Sequence, residues 1–232
     1  MKTNKEIREF AANRLRGAWL WRVLGIEMLL GIVAVLAIFV AMRIEPVVLS
    51  SFVNYLFSAL ISFGMAAVGL KLAADDSSGI VAAGFSGYKR PFPLLWLFLL
   101  TGMKIFLWSL LLIVPGFIAM YRYRMAWYIK CENPELSAWD CIERSKQMME
   151  GYKMQAFKLD LSYVLKILLA YMVMLGVASI DFKDVGLFTF LILLVVILVA
   201  FAYCVVVGFR LFAARAIFYT ELKQMSELCG DK

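Results

Sequence analysis

Long apolar runs separated by short polar intervals dominate the chain. Uninterrupted apolar stretches cover 18–42, 51–70, 94–114, 159–180 and 185–208, and a shorter one covers 116–131. A helix needs about 20 residues to cross roughly 30 Å of hydrocarbon, so these runs predict membrane-spanning helices. Outer-membrane strands alternate apolar and polar positions over about 10 residues, whereas these runs are continuous, which argues against a barrel. The expected fold is an all-α polytopic transmembrane bundle of six spans in a single domain over 1–232. Five spans plus a re-entrant hairpin is the alternative.

The alternative exists because of Pro115-Gly116, which breaks the apolar pattern between the third and fourth runs. Proline removes a backbone donor and disfavours helix at the residue before it, while glycine reaches left-handed conformations at little cost. These two residues are the expected hinge of a hairpin; the competing reading is a kink in one long helix. The returning leg spans only about 24 Å at 1.5 Å per residue, short of a full crossing.

Charge distribution favours the hairpin. With six spans and both termini in the cytoplasm, seventeen of the 24 lysines and arginines fall inside, only Arg43 and Lys183 outside, and five within spans. A single crossing over 94–131 would divide them nine to ten and leave no positive-inside signal. Trp19, Trp21, Trp96, Trp127 and Trp139 then gather at the inner interface, as an aromatic belt requires. Composition agrees, with 63% hydrophobic and 18% charged residues and a mean hydropathy of +0.83. Lys2, Lys5, Arg8, Arg14 and Arg16 before the first run imitate a secretory signal. That run is too long and lacks a small-x-small cleavage site, so it is expected to remain as the first span.

Beyond the hairpin, Ser137 stands three residues before Asp140 and opens an amphipathic helix over 137–150 with Trp139, Ile142 and Met149 near helical period. It reads either as an interfacial helix at the lipid headgroups or as a loop helix packed on the ends of the spans. A shorter segment of this kind, Gly84 to Phe92, occupies another cytoplasmic loop.

Several blocks recur in a known order. They are Gly84-Phe-x-Gly87-Tyr-Lys-Arg-x-Phe92, Leu111-Leu-Ile-Val-Pro-Gly-Phe-Ile-Ala-Met-Tyr-Arg-Tyr123, Met125-Ala-Trp-Tyr128, Asn133-Pro-Glu135, Ser145-Lys-x-Met-Met-x-Gly-Tyr-Lys153 and Phe157-x-Leu-Asp-Leu-Ser162. Together with Phe218-Tyr219 they resemble a bacterial membrane family, domain of unknown function 975, over nearly the whole chain. The hairpin block is also similar to the membrane domains attached to some glycerophosphodiester phosphodiesterases, whose catalytic domain has no counterpart here. The resemblance implies a compact multi-pass protein of the bacterial inner membrane with no known substrate.

The side-chain inventory argues against catalysis. The chain has no histidine, which excludes Ser-His and Cys-His pairs and histidine metal sites. No Walker-type phosphate loop appears, and Cys131, Cys141, Cys204 and Cys229 match no zinc spacing. No catalytic residue, metal or cofactor is expected, and no nucleic-acid partner.

Charges at membrane depth are the remaining chemical signal, because each costs about 2.5 to 3.5 kcal/mol or more to bury. Glu27, Lys104, Arg122, Arg124 and Lys166 fall in the same half of the bilayer under the hairpin topology, with Asp160 nearer the surface. Such a set would form a net positive pocket for an anionic lipid headgroup or another anion. The competing reading has Lys104 and Lys166 snorkelling and Glu27 in one structural ion pair. Ser58, Ser62 and Ala66, and likewise Ala200, Cys204 and Gly208, form small-residue stripes that read as helix packing. Two function classes follow. One handles an anionic lipid or anion, with membrane lipids as partners; the alternative is a non-transporting interaction, assembly or envelope-stress protein with a membrane-protein partner. No inverted repeat relates the two halves of the chain.

Overall fold

The computed structural model describes residues 2–15, 17–41, 47–179 and 187–230. Arg43 and Lys183, the two positive residues assigned to the outer loops, lie outside the described residues. Every described element is a helix: α1 Asn4–Arg14, α2 Ala18–Ala41, α3 Val47–Ala74, α4 Ile80–Gly84, α5 Ser86–Lys89, α6 Pro91–Leu111, α7 Ile113–Arg122, α8 Ala126–Glu132, α9 Ala138–Met148, α10 Lys153–Ala178 and α11 Leu187–Gly230. Among the described residues, four helices are long and apolar enough to cross a membrane, within α3, α6, α10 and α11. The 24 residues of α2 add a fifth helix of sufficient length.

Burial divides the molecule into two zones. Along the first half of α11, Leu191, Leu194, Val195, Leu198 and Val199 are exposed. Leaving such side chains in water costs about 1.5 to 3 kcal/mol each, and lipid removes that cost. From Val207 onward the same helix is sealed by protein: Ala213, Ala214, Ala216, Ile217, Phe218 and Tyr219 are all buried. The surrounding shell comes from α1, α8, α9 and the start of α10. This is a membrane protein with a densely packed cap at one end of its bundle.

The small helix α1 belongs to that cap. Thr3 and Glu6 close a reciprocal capping box, and Ile7, Ala11 and Leu15, spaced by four, bury one face. Asn4 Nδ2 donates to the Gln155 carbonyl at the start of α10, and Gln155 Nε2 donates back to the Lys2 carbonyl, both at 3.1 Å. At the other end of α1, Arg14 pairs with Asp75, just past α3, and Trp19 Nε1 donates to Asp75 at 3.0 Å. The end of α3 and the start of α10 therefore lie on the same side, and the segment between them must leave and return.

It does so as a hairpin whose pivot differs from the expected one. Leu112 is the extended residue, with φ −166° and ψ 153°. Pro115 and Gly116 belong to α7. Pro115 sits in its first turn, where backbone N–H groups have no helical partner to lose. Gly116 lies against Ser109 so closely that a Cβ would collide with its hydroxyl. The Pro-Gly pair thus permits the return leg to start and to pack on α6, while the reversal falls three residues earlier.

The return leg is also broken. The 10-residue α7 and the 7-residue α8 are separated by Tyr123, Arg124 and Met125. Buried backbone groups that leave the helical ladder need another partner, and Ser145 of α9 supplies one here. Its hydroxyl donates to the Arg122 carbonyl at 2.9 Å and accepts from the Met125 N–H at 3.1 Å. Phe117 and Ile118 share a small cleft with Lys153, Met154 and Phe157 of α10. The reversal therefore lies beside the first turns of α10 rather than at its far end.

Of the two readings of the 137–150 segment, contacts favour the packed one. Ala138, Cys141, Ile142, Ser145 and Met149 face the protein, whereas Trp139 is 57% exposed. Trp127, assigned to the aromatic belt, is instead half-buried between Phe63 and Phe98. The glycines of the Gly84 to Phe92 segment allow close approach to α3: a Cβ on Gly87 would lie 2.5 Å from the Leu60 carbonyl oxygen, and one on Gly64 would collide with Gly84.

Candidate ligand cavity

A carboxylate on the second turn of α10 is the electrostatic centre. Asp160 is 5% exposed. Arg215 of α11 grips it in two places, Nε to Oδ1 at 3.1 Å and Nη2 to Oδ2 at 3.3 Å. Arg124, from the break between α7 and α8, pairs with Oδ2, and the Tyr121 hydroxyl donates to the same oxygen at 3.2 Å. Three elements thus converge on one acid of a fourth, which bidentate and charge-assisted bonds make geometrically specific. Two guanidiniums against one carboxylate leave one positive charge in excess.

Beside this cluster lies a cavity of about 650 Å³ between α2, α3, α8 and α11, within the usual range for ligand sites. Glu27, Arg124 and Arg215 line it, together with Tyr128 and Trp127. The two small-residue stripes meet there as well, since Ser62 and Ala66 of α3 and Cys204 and Gly208 of α11 border the same space. Small side chains let helices approach, and here they also leave room. The helices carrying them run in the same direction, because farther along a Cβ on Gly69 would meet Phe212 and Ala216.

The six residues expected to form one pocket separate into three groups. Arg124 and Glu27 line the cavity, with Asp160 paired to Arg124 beside it, and Glu27 has no ion pair among the described residues. Lys104 and Arg122 are elsewhere: the Lys104 ammonium lies 3.7 Å from the Trp139 ring centroid and 5.5 Å from that of Tyr123, and the Arg122 guanidinium is 6.0 Å from Trp108. Aromatic faces flank both cations, and the Arg122 Nε is buried without a hydrogen-bond partner. Lys166 is exposed on α10, 5.7 Å from the ring of Tyr163 on its own helix, and takes no part. The single basic cluster is corrected accordingly, because the broken return leg turns Arg122 and Arg124 to different sides.

Arg215 and Tyr121 were not among the expected site residues. The setting of Arg215 in Leu211-Phe-Ala-Ala-Arg215-Ala-Ile-Phe is apolar on both sides and signals burial. Among the described residues no group of three or more metal-ligating side chains occurs.

The family described as protein of unknown function (DUF975) matches residues 1–120 and 110–182. Comparison with curated proteins and with solved structures returned no match to either. The similarity to glycerophosphodiester phosphodiesterase membrane domains receives no support from these comparisons.

Proposed function

Given that the chain belongs to the DUF975 family, we propose that it is a multi-pass protein of the bacterial inner membrane that binds an anionic amphiphile without catalysing a reaction. In this reading α2, α3, α10 and α11 cross the bilayer, with both termini cytoplasmic. The α6–α7 hairpin dips in from the side carrying α1. Its tip supports this, since Leu110, Leu111, Leu112, Ile113 and Val114 are consecutive, apolar and exposed.

The observation that carries the ligand is the cavity wall formed by Arg124 and Arg215. Their shared carboxylate leaves one unbalanced positive charge next to a largely apolar space open between helices, the combination that basic clefts between spans offer to lipid headgroups. Glu27 on the same cavity sets an upper limit, because its ionised form cancels that charge.

Native mass spectrometry of the purified protein with co-purified lipids tests this. Arg215→Gln is expected to lower retention of anionic lipid, Glu27→Gln to raise it, and Lys104→Gln and Lys166→Gln to leave it unchanged. The second reading, an interaction or assembly protein without a ligand, draws on the saturation of Asp160 by three donors, which suits a structural tie. Equal retention by all four variants and the parent would select that reading.

A further inference from the structure

A second cavity, of about 520 Å³, opens at the cap end between α3, α5, α6 and the segment after α8. Its floor is apolar, with Phe63, Ala67 and Leu94; its rim carries Lys71, Lys89, Arg90 and Lys130. None of these was singled out as a site residue by sequence, and none touches the Arg124–Asp160–Arg215 cluster.

The charges on the rim are not all committed. Lys71 is neutralised by Asp76 at 2.6 Å and Arg90 by Glu135 at 2.9 Å. Lys89 forms no ion pair among the described residues. Lys130 is only 6% exposed, yet its ammonium faces neutral partners, the carbonyls of Pro134 and Leu136. An ammonium has three donors, so one remains. With only carbonyls beside it, the Lys130 ammonium has no counter-ion among the described residues, so an anion there would find an unpaired partner. The Ser86 hydroxyl, which also lines the cavity, is buried without a hydrogen-bond partner. A buried unpaired hydroxyl is costly and wants a partner.

We propose that this cavity is a phospholipid headgroup site, in which Lys89, Lys130 and the Ser86 hydroxyl hold the phosphate while the acyl region lies along Phe63, Ala67 and Leu94. Two ammonium groups without an ion-pair partner more than offset the single negative charge of a lipid phosphodiester, and phosphatidylglycerol brings no cation to oppose them. The apolar floor matches a lipid better than a free ion, because a hydrated phosphate gains nothing from it. The site rests on the proposed function only in taking the chain to be embedded in a bilayer; it is a separate site from the Arg215 cavity.

The test uses the full chain in detergent, titrated with phosphatidylglycerol or phosphatidylcholine and followed by native mass spectrometry, with inorganic phosphate added as a competitor in a parallel series. Two retained phosphatidylglycerols are expected on the parent protein and one on Lys89→Glu. Lys89→Gln is expected to weaken the rim lipid about fivefold, as one basic residue near a lipid surface does, and Ala67→Phe to remove it by filling the floor. Arg215→Gln should affect the other lipid alone. Unchanged retention in both Lys89→Glu and Ala67→Phe, in variants that melt as the parent does, overturns the rim site. If only Arg215→Gln then lowers retention, the proposed function survives without it. Displacement of the rim lipid by millimolar inorganic phosphate, with equal phosphate binding by Ala67→Phe, would identify a free-anion site and also overturn the lipid assignment.

Discussion

Ser145→Ala probes the joint on which the cavity depends. Ser145 has no exposed surface, and its hydroxyl is the bridge between the carbonyl that ends α7 and the Met125 N–H that precedes α8. Removing the oxygen leaves both groups without that partner, Met125 itself being 1% exposed. An orphaned buried polar group costs about 1 to 3 kcal/mol. The Met125 N–H pays the larger share, since a carbonyl has a second lone pair with which to find a partner. The expected loss is about 2 to 3 kcal/mol. Ser162→Ala is the control: its hydroxyl donates to the Leu159 carbonyl of its own helix, which keeps its backbone bond, so the expected change is below about 0.5 kcal/mol. Reversible unfolding in mixed micelles with rising dodecyl sulfate measures both, and hydrogen exchange at Met125 reports locally. A Ser145→Ala protein as stable as Ser162→Ala, with Met125 still protected, would refute the account of the broken leg.

Other outcomes follow from the same contacts. Asp160→Asn leaves two guanidiniums facing a neutral amide; breaking a buried pair costs 3 to 5 kcal/mol, and because Arg215 is 34% exposed the expected loss is about 3 kcal/mol by the same unfolding assay. Asp75 titrates below its usual 3.8, held down first by Arg14 and then by Trp19. A depressed carboxylate stabilises the fold fully above that value and loses its contribution as pH falls through the lower folded value. Stability should therefore decline on acidification below about 3.8, and Asp75→Asn should flatten that limb of the profile. Cys141 is fully enclosed, and burial pushes its thiol above its ordinary value. It should resist maleimide at neutral pH in the folded protein and react only after unfolding. Gly87→Ala should destabilise the rim by forcing the loop away from the Leu60 carbonyl, seen as a loss of at least 1 kcal/mol.

The helices were legible because long apolar runs carry a signal that no loop imitates. The charge census asks for a return between 94 and 131, and the contacts of α1 with the ends of α3 and α10 are compatible with one. The pivot was misplaced by three residues because proline suits the first turn of a helix as well as a bend. The cluster was legible in part. Asp160 and Arg124 do meet, but the break after Arg122 depends on Ser145, twenty residues farther along from Met125, and no local pattern announces a partner at that distance. Arg215 lies seven residues beyond the end of the last apolar run at Gly208. In fact α11 continues through it without interruption.

That continuity has a mechanical meaning. A helix of 44 residues is about 66 Å long at 1.5 Å per residue, twice the thickness of the hydrocarbon layer. Its lipid-facing half is free to respond to bilayer thickness by changing tilt. Its other half is bolted to three separate elements: Arg215 to Asp160 on α10, Tyr219 and Lys223 to Glu132 on α8, and Glu221 to Lys2 ahead of α1. The same unbroken helix thus joins the lipid-exposed face to the packed cap, so a tilt at one end would bear on the contacts of Arg215, Tyr219, Glu221 and Lys223 at the other.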